Sequence, residues 1–547
     1  MKIWKKNVVT TLVALFSLSA TIAISACGKR GEEEDPDTPL VRSDIVTDNN
    51  VYPIVKEQYV NQFTFKMMSH SNINLMADWS ENYFFKRMEA LTGVKMDFTK
   101  VYDDSTYGEK FSLVFLDEDT MPDFFYKALI TRQNELKFGS EGLLIKLEKY
   151  IDEYCPNLKA RMEENPMIRK VITSADGHIY ALPTIHYKGD NSNTADGYYF
   201  INKKWCEKIG VDPNSITTIE RLREVLTEFK NRDMNDDGST TDECPMYLAG
   251  STELYYLFGT FGYSVLGWNS YVDENGQVKV AAQEDKYKEM LKYFNGMYAS
   301  NLINQDYLTR TTSHKWVQLK NNKIGCFMDY STEVAGDYAN DFVALPAMNS
   351  STYYTGQAFY PGRLGVDPGA FAITSKCEHP EVLMRWIDTM YDIDYSRWDT
   401  IGKEGEEWKW DDDAHTSWSF LVDVNVINYE RAIQFGGGLP GVEMTYDGFM
   451  LKSSDPVIQH SYNEIAKIQP KIKIGIPNMS MPEKTTKTLS TSASAISIYL
   501  GNLISSAVAG TVNLDSEWEN VQKKLRSMGV VKYIDTLQEE VDKFYAR

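Results

Sequence analysis

Residues 62–101, QFTFKMMSHSNINLMADWSENYFFKRMEALTGVKMDFTKV, read as strand, helix, strand, and that order sets the fold class. Gln62-Phe63-Thr64-Phe65-Lys66-Met67-Met68 reads as the first strand. A helix is expected from Ser80 to Leu91, with Asp78 as its cap and Glu81, three residues on, completing a capping box. Gly93 should end it, because glycine accepts the left-handed backbone found at helix ends. Val94 to Val101 reads as the next strand. Such a unit opens an α/β domain.

The alternation continues outward. Asp119 to Tyr126 is a turn into a short apolar strand, and Glu141 to Ile151 leads into a helix. Ala175 to Pro183 reads as a hairpin with Asp176-Gly177 as its turn. Tyr198 to Asn202 is a strand, followed by a short helix from Lys203 to Ile209. Thr217 to Arg232 is a helix with Leu222, Val225, Leu226 and Phe229 on one face and Thr217 with Glu220 as its capping box. Gly369 to Ile373 is a strand before a helix from Pro380 to Tyr391, and Glu517 to Tyr545 is helical and charged.

The N-terminus sets the compartment. Lys2, Lys5 and Lys6 precede an apolar run from Val8 to Ala23, which closes on Ile24-Ser25-Ala26-Cys27. That order is a secretory signal, and its apolar run is shorter than the ~20 residues a membrane span needs. Ile-Ser-Ala-Cys resembles the lipobox of bacterial lipoproteins, with Ile24 where Leu is usual, and the resemblance implies diacylglycerol on Cys27. Gly28 to Asn50 is charged and Pro-rich, as a flexible leash would be.

Composition bounds the body. The 547 residues allow two or more lobes with their own cores, and 43% apolar with 24% charged residues is ordinary for a globular protein. A net charge of −20 argues against nucleic acid or anionic lipid as the partner. No later segment is apolar enough to span a membrane; Thr488 to Gly510 carries many Ser and Thr. Besides Cys27, the cysteines are Cys155, Cys206, Cys244, Cys326 and Cys377, an odd, scattered set without a C-x-x-C pair.

These landmarks, in this order, resemble the extracellular solute-binding proteins of ABC importers, in the large oligosaccharide-binding branch. The matching stretches include MPDFFY at 121–126, EGLLIKLEKYIDEYCPNLK at 141–159, DGHIYALP at 176–183, YFINKKWCEKIG at 199–210 and GAFAITSKCEHPEVLMRWIDTMY at 369–391. The resemblance implies an α/β, two-lobed, periplasmic-binding-protein-like fold with an interlobe cleft and a helical C-terminal region. The expected division is signal peptide 1–26, lipidated leash 27–60, lobe 1 over 61–183 plus 345–400, and lobe 2 with the C-terminal helices over 184–344 plus 401–547. The expected partners are a small polar solute, an oligosaccharide before any other, an ABC permease to which it is delivered and, through the lipid, the outer face of the cell membrane. A monomer is expected.

Asp233-Met-Asn235-Asp-Asp237-Gly238-Ser239-Thr-Thr-Asp242-Glu243 is the sharpest local motif. Oxygen side chains at positions 1, 3 and 5 with Gly at 6 form the first half of a calcium loop. Cys244 stands where an EF-hand places Glu, and the carboxylates of Asp242 and Glu243 precede it. The family has a similar loop closed by an Asp-Glu pair, although this copy is one residue longer before the pair. A structural Ca²⁺ is expected; the alternative is an acidic, solvated turn.

Trp and Tyr number 11 and 34, and flat aromatic faces suit pyranose rings. Asp78, Trp79, Asn82, Tyr126, Trp268 and Tyr330 stand in loops at expected strand ends and are the ligand-binding candidates, with Trp79 and Trp268 the preferred stacking residues. Trp398, Trp408, Trp410 and Trp418 are expected as a cleft wall or as packing for the C-terminal helices. There is no H-E-x-x-H, G-x-S-x-G or P-loop motif. A binding protein without catalytic residues is therefore expected; a surface glycoside hydrolase and a sensory or adhesive lipoprotein are the alternatives.

Overall fold

A computed structural model describes residues 40–71, 78–186, 193–265, 270–423, 439–443 and 448–546. The contacts below lie within Ser43–Arg547, which forms one unit. Parallel strands Thr64–Ser71 and Lys95–Asp103 flank the helix Tyr83–Thr92, which Gly93 ends at φ 74°. The N-terminal cap differs from expectation. Asp78 caps only a 3-10 turn, Trp79–Glu81, and Asn82 starts the α-helix by accepting from Phe84 N at 2.9 Å. Glu81 turns instead to Lys86, 2.7 Å away, because the extra turn leaves it ahead of the helix start.

The first sheet has six strands in the order Gly441–Val442, Leu182–Ile185, Val366–Ile373, Phe124–Tyr126, Thr64–Ser71 and Lys95–Asp103. Val366–Ile373 runs against its two neighbours, while the other pairings are parallel. Five strands therefore end at one edge of the sheet, the edge where Val366 begins. Phe111, Phe125, Phe138, Leu144 and Ala372 fill part of the core beside it. The Asp176-Gly177 turn forms, with Gly177 at φ 91°, but no hairpin follows. Leu182–Ile185 pairs with the longer strand Val366–Ile373 instead, and Ile179, earlier in the same arm, accepts from Leu147 N.

The second sheet has four strands, Phe342–Ala344, Tyr198–Asn202, Ile324–Asp329 and Cys244–Tyr247. Its core includes Phe200, Leu319, Ile324, Phe327 and Phe342. Helix Ile219–Lys230 buries Leu222, Val225, Leu226 and Phe229, as the periodicity predicts. Its cap is Thr218 rather than Thr217, and Glu220 is drawn away to accept from Ser350 Oγ at 2.6 Å.

Between these sheets lies a third, of Ile472–Ile474, Tyr360–Leu364 and Asn193–Thr194. The chain leaves the first sheet at His186 and enters the third at Asn193, a first passage between lobes, and a second is Gly365, which links Leu364 to Val366. A third passage follows Gly441–Val442, toward the helix Pro456–Ile468 of lobe 2. In that helix Glu464 Oε2 accepts from Ala344 N at 3.1 Å. Gly441–Val442 thus completes the first sheet from sequence beyond residue 400, and Tyr360–Leu364 falls in the hinge rather than in lobe 1.

Three further features differ from the sequence reading. Val46, Ile54 and Val55 are buried, so the chain docks well before residue 60. Trp408 and Trp418 pack with Ile401, Phe449, Met450 and Ile458 in a small core of their own, neither a cleft wall nor a bed for the C-terminal helices. Helix Glu483–Val508 touches helix Asp285–Ala299 of lobe 2 and helix Arg132–Ser140 of lobe 1, so it straps both lobes. Helices Leu514–Ser527 and Val530–Ala546 complete the strap. Among the described residues, no helix is long and apolar enough to cross a membrane.

Candidate functional site

Parallel strands gather functional groups at their carboxyl ends, where loops are free of ladder hydrogen bonds. In lobe 1 that edge carries His70, Asp103, Lys127, His186 and Glu443, with Asp367 at the start of the returning strand. In lobe 2, Tyr198 begins its strand at the hinge side. The antiparallel partner Ile324–Asp329 therefore ends there, as does Cys244–Tyr247, which is parallel to it. Both sheets turn their carboxyl ends toward the same crossovers. The space between those edges is the cleft.

The lobe 2 side of the cleft holds a cavity of about 460 Å³ lined by Asp196, Glu253, Tyr255, Tyr256, Lys315, Asp329 and Tyr330, among others. Tyr330 is 67% exposed and follows directly on Asp329, whose Oδ1 accepts from Tyr330 N at 2.9 Å. Asp329 is itself fixed from beneath. Lys315 Nζ lies 3.2 Å from Asp329 Oδ2 and 2.9 Å from Glu253 Oε1, and Trp316 Nε1 donates to Asp329 Oδ2 at 2.9 Å. Burial raises the Glu253 carboxyl, while Lys315 opposes that shift. Half-buried Tyr255 and Tyr256 stand beside these carboxylates. Ring faces with carboxylate acceptors between them suit a polyhydroxylated ligand.

On the lobe 1 side, His70 Nδ1 meets Asp104 Oδ1 at 2.5 Å, and burial lowers the His70 pKa. The Asp104 carboxylate and the Lys127 main chain oppose that shift. Burial also lowers Lys127, to about 8.

The cleft floor is an ionic chain. Arg363 Nε donates to Asp196 Oδ1 at 2.7 Å, and its Nη1 to Asp367 Oδ1 at 2.6 Å. Asp367 Oδ2 meets His186 Nε2 at 2.5 Å, and His186 Nδ1 lies 2.7 Å from Glu443 Oε1. Burial disfavours the charge on His186, but the two carboxylates outweigh it and raise its pKa to about 10. A second cavity of about 340 Å³ lies on the far side of this chain, roofed by Leu489, Tyr533 and Leu537 of the strap. Asp196 lines both cavities. The front one has the paired tyrosines and carboxylates suited to a polar solute; the rear one sets Arg363 and Asp367 against Leu489 and Leu537 of the strap.

The expected ligand residues separate under packing. Tyr330 lines the cleft cavity, and Asp78 is exposed. Trp79 is 3% exposed, its ring stacked on Phe85 at 5.5 Å, and Tyr126 is 0% exposed, so neither presents a face for stacking. Asn82 is buried as a helix cap. Trp268 lies outside the described residues. Asp196, Glu253, Tyr255, Tyr256 and Arg363 went unread. The doublet Tyr255-Tyr256 was the available signal, but its apolar neighbours made it look like core.

The acidic loop folds inward. Asp233 accepts from Asp236 N at 2.8 Å and from Gly238 N at 2.9 Å, with Gly238 at φ 90°. Glu243 Oε1 accepts from Met234 N at 2.7 Å, and Lys323 Nζ donates to Asp242 Oδ2 at 2.7 Å. Lys323, with a side-chain hydrogen bond from Ser239, holds Asp242 down at about 2. Asp242 Oδ1 and Glu243 Oε2 are buried without partners. Oxygens of that kind fit a hard cation. No three His, Cys, Asp or Glu side chains among the described residues yet form a metal-holding group.

No family model matches the chain. The Streptococcus pneumoniae fructooligosaccharide ABC transporter substrate-binding protein FusA is 24% identical over 548 residues, 97% of this chain and 97% of that protein. Bacillus subtilis lipoprotein LipO is 24% identical over 382 residues, 65% of this chain and 70% of its own. The solved structure of FusA in complex with kestose has a TM-score of 0.72 at 23% identity, over 88% of this chain and 99% of that one. An EF-hand mutant of FusA in complex with fructo-nystose gives the same figures, TM-score 0.72 at 23% identity over 88% and 99% of the two chains. The HMO-binding solute-binding protein of Bifidobacterium longum infantis gives a TM-score of 0.73 at 21% identity, over 88% of this chain and 99% of that one. FusA is named as a binding protein rather than an enzyme. Two lobes, a cleft between carboxyl edges and solved structures matched over 88% of the chain give one answer for the fold: the chain has the two-lobed architecture of extracellular solute-binding proteins.

Proposed function

We propose that this chain is a lipoprotein, held at the outer face of the cell membrane through Cys27, that captures an oligosaccharide in the interlobe cleft and hands it unchanged to an ABC permease. The observation that carries the reading is the pairing of aromatic rings Tyr256 and Tyr330 with the carboxylates of Asp196 and Asp329 at the hinge edge of lobe 2. Sugars offer C–H faces to rings and hydroxyls to carboxylates, and that cavity supplies both kinds of surface. FusA, named for fructooligosaccharides, supports the choice of cargo. Calorimetric titration with kestose, nystose and equally long glucose, galactose and uronate oligomers tests the reading. Saturable binding with no product is expected. Turnover would make the chain a hydrolase, and silence toward every glycan with a response to peptides would change the cargo.

The loop from Asp233 to Glu243 is proposed to hold a structural Ca²⁺ through Asp233, Asn235, Asp237, Ser239, Asp242 and Glu243. The two partnerless buried oxygens favour this over a solvated turn. The ion would supply charge compensation alone, tying the end of helix Ile219–Lys230 to the strand Cys244–Tyr247.

A further inference from the structure

The ionic chain on the cleft floor is built from all three passages between the lobes. His186 belongs to the first passage, Arg363 and Asp367 flank the second at Gly365, and Glu443 starts the third. The main chain ties the same passages together: His186 N donates to Gly365 O at 2.8 Å, and Glu443 N donates to Ile185 O at 2.9 Å. His186 is the centre of the side-chain array. Both of its ring nitrogens are taken by carboxylates, one from each of the other two passages, and its side chain is only 13% exposed.

We propose that His186 is a positioning residue for solute capture: by bridging Asp367 and Glu443, and through Asp367 reaching Arg363 and Asp196, it locks the three passages together and sets the equilibrium between open and closed lobes. Hinge closure concentrates its backbone changes in a few connecting residues, and a ligand's apparent affinity falls with the fraction of molecules in the competent arrangement. The far side of the array gives those connections room to move. Arg363 and Asp367 form one wall of the rear cavity of about 340 Å³, whose opposite wall is the strap. Asp196 stands at the other end of the array and lines the cleft cavity. Movement of the passages is therefore transmitted to a group at the ligand's edge, although His186 lines neither cavity.

This inference rests on the cleft being the capture site, and one arm of its test is independent of ligand. The variants are His186→Gln, Glu443→Gln and the double variant. Glutamine can donate to one carboxylate but turns an oxygen toward the other. Small-angle X-ray scattering on the ligand-free full chain should show a changed radius of gyration for each single variant. Titration with kestose and with a longer fructan should then show affinity weakened by a common factor of about fivefold or more, because the hinge term is shared by all ligands. The double variant should be no worse than the worse single one, as coupled partners behave in a mutant cycle. A factor that differs strongly between short and long ligands would mean that His186 touches cargo, and would overturn the proposal. So would unchanged scattering and affinity within twofold in variants that merely melt earlier. If His186→Gln does not fold, the more exposed Glu443→Gln carries the same comparison. If wild type binds neither fructan, the reading of cargo fails while the scattering arm still decides the hinge.

Discussion

Lys315 Nζ sits 2.9 Å from Glu253 Oε1 and 3.2 Å from Asp329 Oδ2, so one buried cation is shared by two carboxylates directly beneath Tyr330. Removing the cation leaves both acids buried and unpaired. Lys315→Met should cost about 3–5 kcal/mol of stability, the usual penalty for breaking one partner out of a buried ion pair. Differential scanning calorimetry measures it. A melting temperature equal to wild type would show that the triad is solvated in solution.

Tyr330 and Trp79 should behave oppositely. Tyr330 is 67% exposed, so Tyr330→Ala should leave melting nearly unchanged while weakening oligosaccharide binding by about 1.5–3 kcal/mol, the range of a central aromatic contact. Trp79→Ala empties a core site instead and should cost about 3–5 kcal/mol of folding stability. Titration calorimetry beside thermal melts separates the two. Strong loss of binding from Trp79→Ala at unchanged stability would return Trp79 to the cleft.

Calcium should raise the melting temperature and chelator should lower it, since a ligand of the folded state stabilises by mass action. Asp242→Asn should abolish the response, because it weakens a carboxylate whose Oδ1 is buried and unpartnered. Equal melting in calcium and in chelator would reduce the loop to a helix-ending turn.

Alkaline pH should loosen the hinge. His186 is raised from 6.5 to about 10 by Glu443 and Asp367 against the cost of burial. Arg363 stands beyond Asp367, and the fully buried Asp399, itself raised well above the usual range by burial and by Glu443, stands beyond Glu443. For a group whose folded pKa is raised, the stabilisation is complete below pH 6.5 and disappears as pH rises through 10. Its size is on the order of a few kcal/mol. His186→Gln should flatten the pH dependence of stability between 7 and 10.5 relative to wild type. Parallel curves for the two proteins in that window would show that His186 is neutral when folded.

Cys27→Ser should release the protein from membranes into the medium. Fractionation followed by immunoblotting reads the outcome, and retention of the variant in the membrane fraction would remove the lipid anchor from the account.

Much of the fold was legible because its signals are local. The strand Tyr198–Asn202 and the buried face of helix Ile219–Lys230 follow from a few adjacent residues. One cap moved to Asn82 because an extra 3-10 turn intervenes, and the other to Thr218 while the tertiary partner Ser350 drew Glu220 away. The cleft was harder to read. His186 and Asp367 meet across 181 positions, a separation that leaves no periodic trace. Aromatic abundance raised Trp79 as a platform, yet the same surface that could stack on sugar was worth more against Phe85. Tyr330 was recoverable because a strand end followed by an exposed ring is visible in the local sequence.

The strap has a consequence for biogenesis. Helix Glu483–Val508 lies near the end of the chain, yet it touches helices that emerge hundreds of residues earlier in both lobes. Neither lobe is contiguous in sequence, and Gly441–Val442 reaches the first sheet only late in synthesis. Such long-range pairings fold slowly, and the molecule is not finished until its last helices arrive. The helices from Glu483 to Ala546 therefore act as a clasp: they close over helices of both lobes that come earlier in the sequence, and the native shape is complete only when they are in place.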